Sequence, residues 1–320
     1  MSALNWTFDA EVGVYKNNSL SNQLLLTSVA KMKVVPFTKP WAGFGKHKGE
    51  IVNIMHVQEL PDPTSAQLQE DTRIPVDKLS FGNRTIRVVE WGRGVEYTNL
   101  MEQLGKFDPK GVLQSALSRQ MDRAMDTAAA DAFQHTDVKI CFIPTTMSGG
   151  TFDTDGAPST VAVAAFNFDH IGVLADYLGG NIHCPPYEGE DYICLGSRKL
   201  MRGIKGDPLW QQVHMYLQKG DLFFKGELGK GENIRFIQVD REEAFSNTAG
   251  TSTTIGEGVV FGDEAVVRVE VEAPALYADP NYQSDFGRTK AVAWRGLLAY
   301  APLWNTANDG EAKIIRITSA

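Results

Sequence analysis

Two segments with strand character are separated by a stretch that no tight turn can make. They are residues 49–60 (GEIVNIMHVQEL) and 84–98 (RTIRVVEWGRGVEYT). Between them, residues 61–83 hold Pro61, Pro63, Pro75 and Gly82 among charged and amide side chains. Hairpin loops mostly run about 2–5 residues, and structureless connections of this length are uncommon inside compact domains. A two-stranded ribbon with such a tip is barely stable alone in water. It needs another surface to lie on. That points to a subunit that embraces its neighbours rather than to a self-contained enzyme.

The rest of the chain is large enough to supply real cores. Its 320 residues suit one large or two modest domains. An apolar content of 43% and a charged content of 22% are ordinary for a soluble globular protein. The net charge of −8 argues against a protein that coats nucleic acid, which would carry a basic face. It does not exclude one that encloses nucleic acid without gripping it. Cys141, Cys184 and Cys194 form no CxxC pair and are odd in number, so reduced thiols are expected. The start, MSALNWTFDAEVG, lacks a basic n-region and an apolar h-region. No apolar run approaches the roughly 20 residues that span a bilayer, so a soluble protein with no membrane partner is expected.

Directly behind the ribbon lies the strongest helix signal. Asp108 can cap, and Pro109 sits where its missing N–H costs nothing. Leu113, Leu117, Met121, Ala124, Ala128 and Ala132 then recur at three- and four-residue spacing, predicting a helix over 108–134. At 1.5 Å per residue that rod is about 40 Å long. Before the ribbon, Ser21–Val35 reads as a short helix, and residues 36–48 (PFTKPWAGFGKHK) as an extended arm. Trp41 and Phe44 on that arm need burial, in this reading on another subunit. Gly92 and Gly94 suggest a bulge or a close backbone approach. After a polar loop at 148–160, a helix is expected over Phe168–Leu178 and another over Leu209–Leu217. Strands are expected at Asp191–Ser197, Ile234–Val239 and Lys313–Thr318, with strands or short helices at Gly258–Gly262, Ala265–Val271 and Ala291–Tyr300. A Ser/Thr/Gly-rich loop spans 246–256. Without a regular βαβ rhythm the class is α+β.

No catalytic constellation stands out. The six histidines show neither i,i+4 metal spacing nor HExxH. His183-Cys184 before Pro185-Pro186 reads as packing in a Pro-rich turn. Gly226, Gly229 and Gly231 (GELGKG) lack the P-loop spacing and ending, and read as a turn between strands. There is no GxSxG. Glu188/Glu190 and Glu242-Glu243 read as solvated charge, and Trp91 as core or interface packing. No catalytic, cofactor or metal residue is assigned. The candidate sites are instead inter-subunit contacts: Trp41, Phe44, Ile51, Ile54, Glu70, Asp71, Arg73, Lys78, Ile86 and Val88. Of these, Ile51, Ile54, Ile86 and Val88 are expected to form an apolar ribbon face that is buried on a neighbour.

The order of these segments resembles major capsid proteins of tailed bacteriophages with the Hong Kong 97-type fold, and among them the N-four-like subgroup. The carrying residues are GEIVNIMHVQEL, the charged tip LQEDTRIPVDKLS, and RTIRVVEWGRGVEYTNL with its Trp91-Gly92 and Thr98-Asn99 elements. The helix DPKGVLQSALSRQMDRAMDTAAADAF is similar to the family's spine helix. FKGELGKGENIRFIQVD, GVVFGDEAVVRVE and the final RTKAVAWRGLLAYAPLWNTANDGEAKIIRITSA resemble later recurrent segments.

The resemblance implies a layout and a function. Residues 1–48 would be the N-arm and 49–98 the E-loop hairpin. Residues 99–164 would begin the peripheral domain around spine helix 108–134. The axial domain would span 165–275, and 276–320 would return to the peripheral domain. The chain would assemble with itself into hexamers and pentamers, forming an icosahedral head around double-stranded DNA. The head would form in the host cytoplasm and remain as part of the virion. A portal protein is an implied partner, and the presence of a decoration protein is left open. With only 48 residues before the hairpin and no charged helical segment, a separate scaffolding protein is expected. An acidic inner surface is expected to keep packaged DNA from sticking. The rival readings are a soluble enzyme with an active-site lid at 61–83, or another virion structural subunit.

Overall fold

The structure, a computed structural model, describes residues 33–57, 60, 67–68, 70, 73–105, 109–142, 150–156, 162–216, 227–240, 245, 256–280, 282–284, 286–304 and 312–319. Asp71, Asp108, Ser21–Met32, much of the 148–160 loop and all of the 246–256 loop except Gly256 fall outside them.

Among the described residues, three sheets and five α-helices build the molecule. In chain order the strands are β1 (Lys39–Pro40), β2 (Ile51–Val57), β3 (Phe81–Arg87), β4 (Val89–Thr98), β5 (Lys139–Phe142), β6 (Gly150–Asp153), β7 (Tyr192–Ser197), β8 (Glu227–Gly231), β9 (Ile234–Val239), β10 (Gly256–Phe261), β11 (Val266–Asp279), β12 (Thr289–Pro302) and β13 (Ile314–Ser319). The helices are α1 (Asn99–Leu104), α2 (Pro109–Gln134), α3 (Phe168–Asp176), α4 (Arg198–Gly206) and α5 (Pro208–Tyr216).

A seven-stranded sheet runs β6-β5-β13-β10-β7-β9-β8. Its middle strands β13, β10 and β7 are buried along their whole length, because both faces are covered. Ile315, Ile317, Val260, Cys194 and Phe236 face a core that includes Ile171 and Leu174 of α3 and Leu200, Met201 and Ile204 of α4. On the other side Ile314, Val259, Phe261, Leu195 and Ile193 meet Ala129, Ala130 and Phe133 of α2. A buried pair, Arg316 to Glu257 at 2.7 Å, bridges β13 and β10. Removing one partner would strand the other charge in the core.

Helix α3 begins as its residues dictate. Asn167 caps it by accepting from the His170 N–H, and His170 Nδ1 accepts from the Asn167 N–H in return. A π-helical turn, Tyr177–Asn181, ends it at the expected Gly179-Gly180. The segment GELGKG proves to be mostly strand. Glu227–Gly231 forms the sheet edge, and the turn falls on Glu232-Asn233, both with positive φ. That two-residue turn joins β8 to β9 in the manner of tight hairpins.

A four-stranded sheet runs β1-β11-β12-β4. Strands β11 and β12 form a long hairpin of 14 residues each. The pairing shifts register between Glu270, Glu272 and Ala275, around Pro274. β4 pairs with β12 in unbroken register, so Gly92 and Gly94 mark no bulge. They mark a close approach: a Cβ at Gly92 would lie 2.9 Å from the Trp294 carbonyl oxygen.

α2 ties the two sheets together. Its first half places Leu113, Leu117 and Met121 against Tyr97, Trp91, Val292 and Trp294 of the four-stranded sheet. Its alanine-rich second half packs on the seven-stranded sheet. Small side chains there allow the helix to approach closely. The chain entering before β1 is pinned to it. The Asp126 carboxylate accepts from the Val34 and Val35 N–H groups at 2.8 and 2.7 Å, and Val34 and Phe37 are buried.

Candidate assembly interface

The ribbon is the antiparallel pair β2–β3, in register from Ile51 opposite Arg87 to Val57 opposite Phe81. The predicted second strand is in fact two. β3 pairs with β2, whereas β4 pairs with β12, and Val88 is the residue between. Val88 donates its N–H to the Glu50 carbonyl at 3.0 Å. One extended stretch therefore belongs to two sheets.

Side chains alternate across the ribbon with period two. Val52, Ile54, Ile86 and Val88 face inward onto Val267, Val269, Ala299 and Leu303 of the same chain. Ile54, Ile86 and Val88 are only 4%, 3% and 6% exposed, so the expectation that they are buried on a neighbour is corrected. Ile51 and Ile54 are three residues apart and so point to opposite faces. Ile51 is exposed, on the outer face. Phe44 is half-buried against the same inner cluster, so it too is covered by its own chain.

Farther out on the inner face, His56 packs its ring on Trp304, centroids 4.6 Å apart. Gly82 opposite makes room, since a Cβ there would fall 2.1 Å from the His56 ring. Beyond these rings the ribbon has no apolar support from the described residues of its own chain. Its outer face exposes Ile51, Met55, Val57 and Phe81, with Met55 at 72%. Between them Thr85 donates to Asn53 at 2.9 Å, and Arg87 pairs with Glu50. Past Phe81 the described tip residues Glu70, Arg73 and Lys78 are exposed, as are Ile74, Val76 and Leu79. Trp41 is also exposed, with its N–H bound to the Arg268 carbonyl at 2.8 Å. The structure thus leaves Trp41, Ile51, Glu70, Arg73 and Lys78 open to a partner.

Met55, Val57 and Phe81 were missed by reading the sequence. Strict alternation from Val52 and Ile54 would have found the first two. A second exposed apolar group sits at the far end of the four-stranded sheet. Thr98 caps α1 by accepting from the Met101 N–H at 3.3 Å, and Leu100, Met101 and Leu104 of that helix are exposed. Phe286, fully exposed and at positive φ, lies at the nearby hairpin tip. α1 is tied there by Asn99 N–H to the Arg288 carbonyl at 2.9 Å and by Lys290 to Glu102 at 2.6 Å.

One cleft of about 350 Å³ lies between the ribbon root and the last turns of α2. Arg84, Trp91, Asp131, His135 and Tyr300 line it. Burial raises the Asp131 carboxyl above its usual range and pushes the Tyr300 hydroxyl up to about 12. Among the described residues of the lid expected over 61–83, none lines this cleft. Burial likewise pushes the Cys184 thiol up to about 12, leaving it un-ionised at neutral pH.

A two-sheet α+β subunit strung on one long helix, with a projecting ribbon, is the Hong Kong 97-type capsid fold. The chain is similar along its whole length to capsid subunits of known structure. Against the capsid of cyanophage Pam1 the TM-score is 0.75 at 15% identity, covering 97% of this chain and 98% of that one. Against the head of Helicobacter pylori bacteriophage KHP40 it is 0.69 at 15% identity, with coverages of 97% and 98%. Against the capsid of Ralstonia phage GP4 it is 0.65 at 14% identity, with coverages of 97% and 96%. No protein-family model and no curated protein matches the sequence.

Proposed function

We propose that this chain is the major capsid protein of a tailed bacteriophage, of the N-four-like subgroup. It assembles into hexamers and pentamers that close into an icosahedral head around double-stranded DNA. The observation that carries this reading is the fold match from end to end, on chains of nearly equal length. A ribbon whose outer face and tip expose Met55, Val57, Phe81, Ile74 and Val76 without cover favours the same reading, since such surface needs a partner.

In this reading residues 1–48 are the N-arm, 49–98 the E-loop, 99–164 with 276–320 the peripheral domain, and 165–275 the axial domain. Trp41, Ile51, Glu70, Asp71, Arg73 and Lys78 contact neighbouring subunits. The role is structural rather than enzymatic. Assembly in the host cytoplasm uses a separate scaffolding protein, and a portal occupies one vertex. Many modest contacts in a closed lattice add up to a stable shell.

Electron microscopy of the purified chain, alone and with the scaffolding protein, tests the proposal. Rings of five or six copies, or closed shells, are expected. A chain that stays monomeric under all these conditions would refute it.

A further inference from the structure

The cleft between the ribbon root and the end of α2 holds charges that are not answered within it. Arg84 of β3 lines its ribbon wall and is half-buried. The Arg84 Nε is a buried donor that has no hydrogen-bond partner among the described residues. Buried polar groups are nearly always paired, and a charged one left unpaired is costly. Arg87 lines the same wall, but it is already paired with Glu50. Across the cleft, Asp131 and His135 stand four residues apart at the end of α2. Neither side chain forms an ion pair or hydrogen bond with a described residue. Arg84 and Asp131 therefore bring opposite charges to two walls of one cleft and still lie beyond ion-pair distance. The space between them admits a third group.

The sign of that group follows from which charge can be given up. A guanidinium stays protonated in any protein environment. A carboxyl can take up a proton, and burial already raises Asp131 above its usual range. Once protonated it donates a hydrogen bond to an anion, and the ring N–H of His135 can do the same. The Arg84 Nε, by contrast, is satisfied only by an acceptor. The guanidinium edge formed by Nε and one Nη matches the two oxygens of a carboxylate.

Much of the remaining lining is apolar, with Val89, Ala128, Ala132 and Leu298 beside Trp91. The Trp91 N–H is taken by the Leu298 carbonyl at 3.2 Å, so this side chain has only its ring to offer. At about 350 Å³ the cleft falls at the small end of ligand pockets, which run from about 300 to 1,000 Å³.

We propose that this cleft is a carboxylate-binding site. Arg84 holds the carboxylate, and the apolar or aromatic body that carries it lies against Trp91, Ala128 and Leu298. Every residue of the site comes from one copy, so binding is expected whether or not the chain assembles.

Ligand-observed fluorine NMR with para-fluorobenzoate on the full chain tests it. The probe signal should broaden with the wild type at millimolar concentration and sharpen again when benzoate is added. Benzamide and benzamidine keep the ring without the negative charge and should not displace the probe. R84Q retains a donor but loses the charge, and should weaken binding by about tenfold. A128L leaves Arg84 in place and fills the cleft, and should abolish binding. Circular dichroism verifies folding, and either variant alone decides the matter if the other does not fold. N-acetylglutamate α-amide separates the two sources of a carboxylate. If it displaces the probe as well as benzoate does, the site takes an acidic side chain of a polypeptide. If benzoate competes better, the site takes a free organic acid. No broadening with the wild type, equal displacement by benzamidine, or unchanged binding in the folded variants would overturn the proposal.

Discussion

Ile54 and Met55 are neighbours in sequence with opposite surroundings. Ile54 is buried against the four-stranded sheet of its own chain, while Met55 stands in solvent on the outer ribbon face. Truncating the buried partner Ile86 to alanine should cost about 2–5 kcal/mol, through lost transfer energy and a cavity. Met55→Ser should change stability by less than about 0.5 kcal/mol, as exposed substitutions do. It should instead weaken association between copies. Denaturant titration beside sedimentation separates the two effects. Asp126→Ala should destabilise by about 1.5–3 kcal/mol, because it strands the Val34 and Val35 N–H groups. Faster proteolysis near residues 33–40 would report it. The Lys39 hydrogen bond holds the Glu264 carboxyl below its usual range. A depressed carboxyl contributes stability above its unfolded value, about 4.3, and loses it as pH falls through the folded value. The β1 tie should therefore hold at neutral pH and fail only in acid, seen as new cleavage within residues 33–48. At this scale the sequence was legible where alternation was followed strictly. Pairing Ile51 with Ile54 broke it, because hydrophobicity alone carries no facing.

The long helix was readable almost to the residue, since Pro109 and an alanine-rich stripe are local signals. The hairpin β11–β12 was not. Pro274 reads as a strand end, yet the structure absorbs it as a register shift opposite Gly296. The split between β3 and β4 was equally hidden, because strand propensity continues through Val88 and only the partner strands differ. Of the candidate contact residues, Glu70, Arg73 and Lys78 are exposed, as their charged surroundings in the sequence suggest. Phe44, Ile54, Ile86 and Val88 were misplaced because their covering surface comes from residues 267–303, far along the chain. At this scale the ribbon tip should be separable from the fold. Deleting residues 62–80 removes no described strand or helix. The shortened chain should remain soluble and folded by circular dichroism and fail to form shells under the electron microscope. Normal shells from it would remove the ribbon from the assembly contacts.

As a whole molecule the chain carries a net charge of −8 around several apolar surfaces left open at the ribbon and at α1. Such a subunit should show no measurable retardation of double-stranded DNA at physiological salt, because there is little counterion release to drive binding. A strong mobility shift would contradict an acidic lumen. The ribbon also has a mechanical consequence. Its root is clamped, with Val52, Ile54, Ile86 and Val88 packed into the body and His56 wedged on Trp304. Val88 at the junction is β-branched and holds few conformations. The projection is therefore a cantilever whose fixed end reaches as far as His56 and Gly82. In the proposed shell, copies in five-membered and six-membered rings would absorb their different angles beyond that clamp. The body could then keep one shape in both settings, and the curvature of the proposed shell would be set outside the clamped root rather than within it.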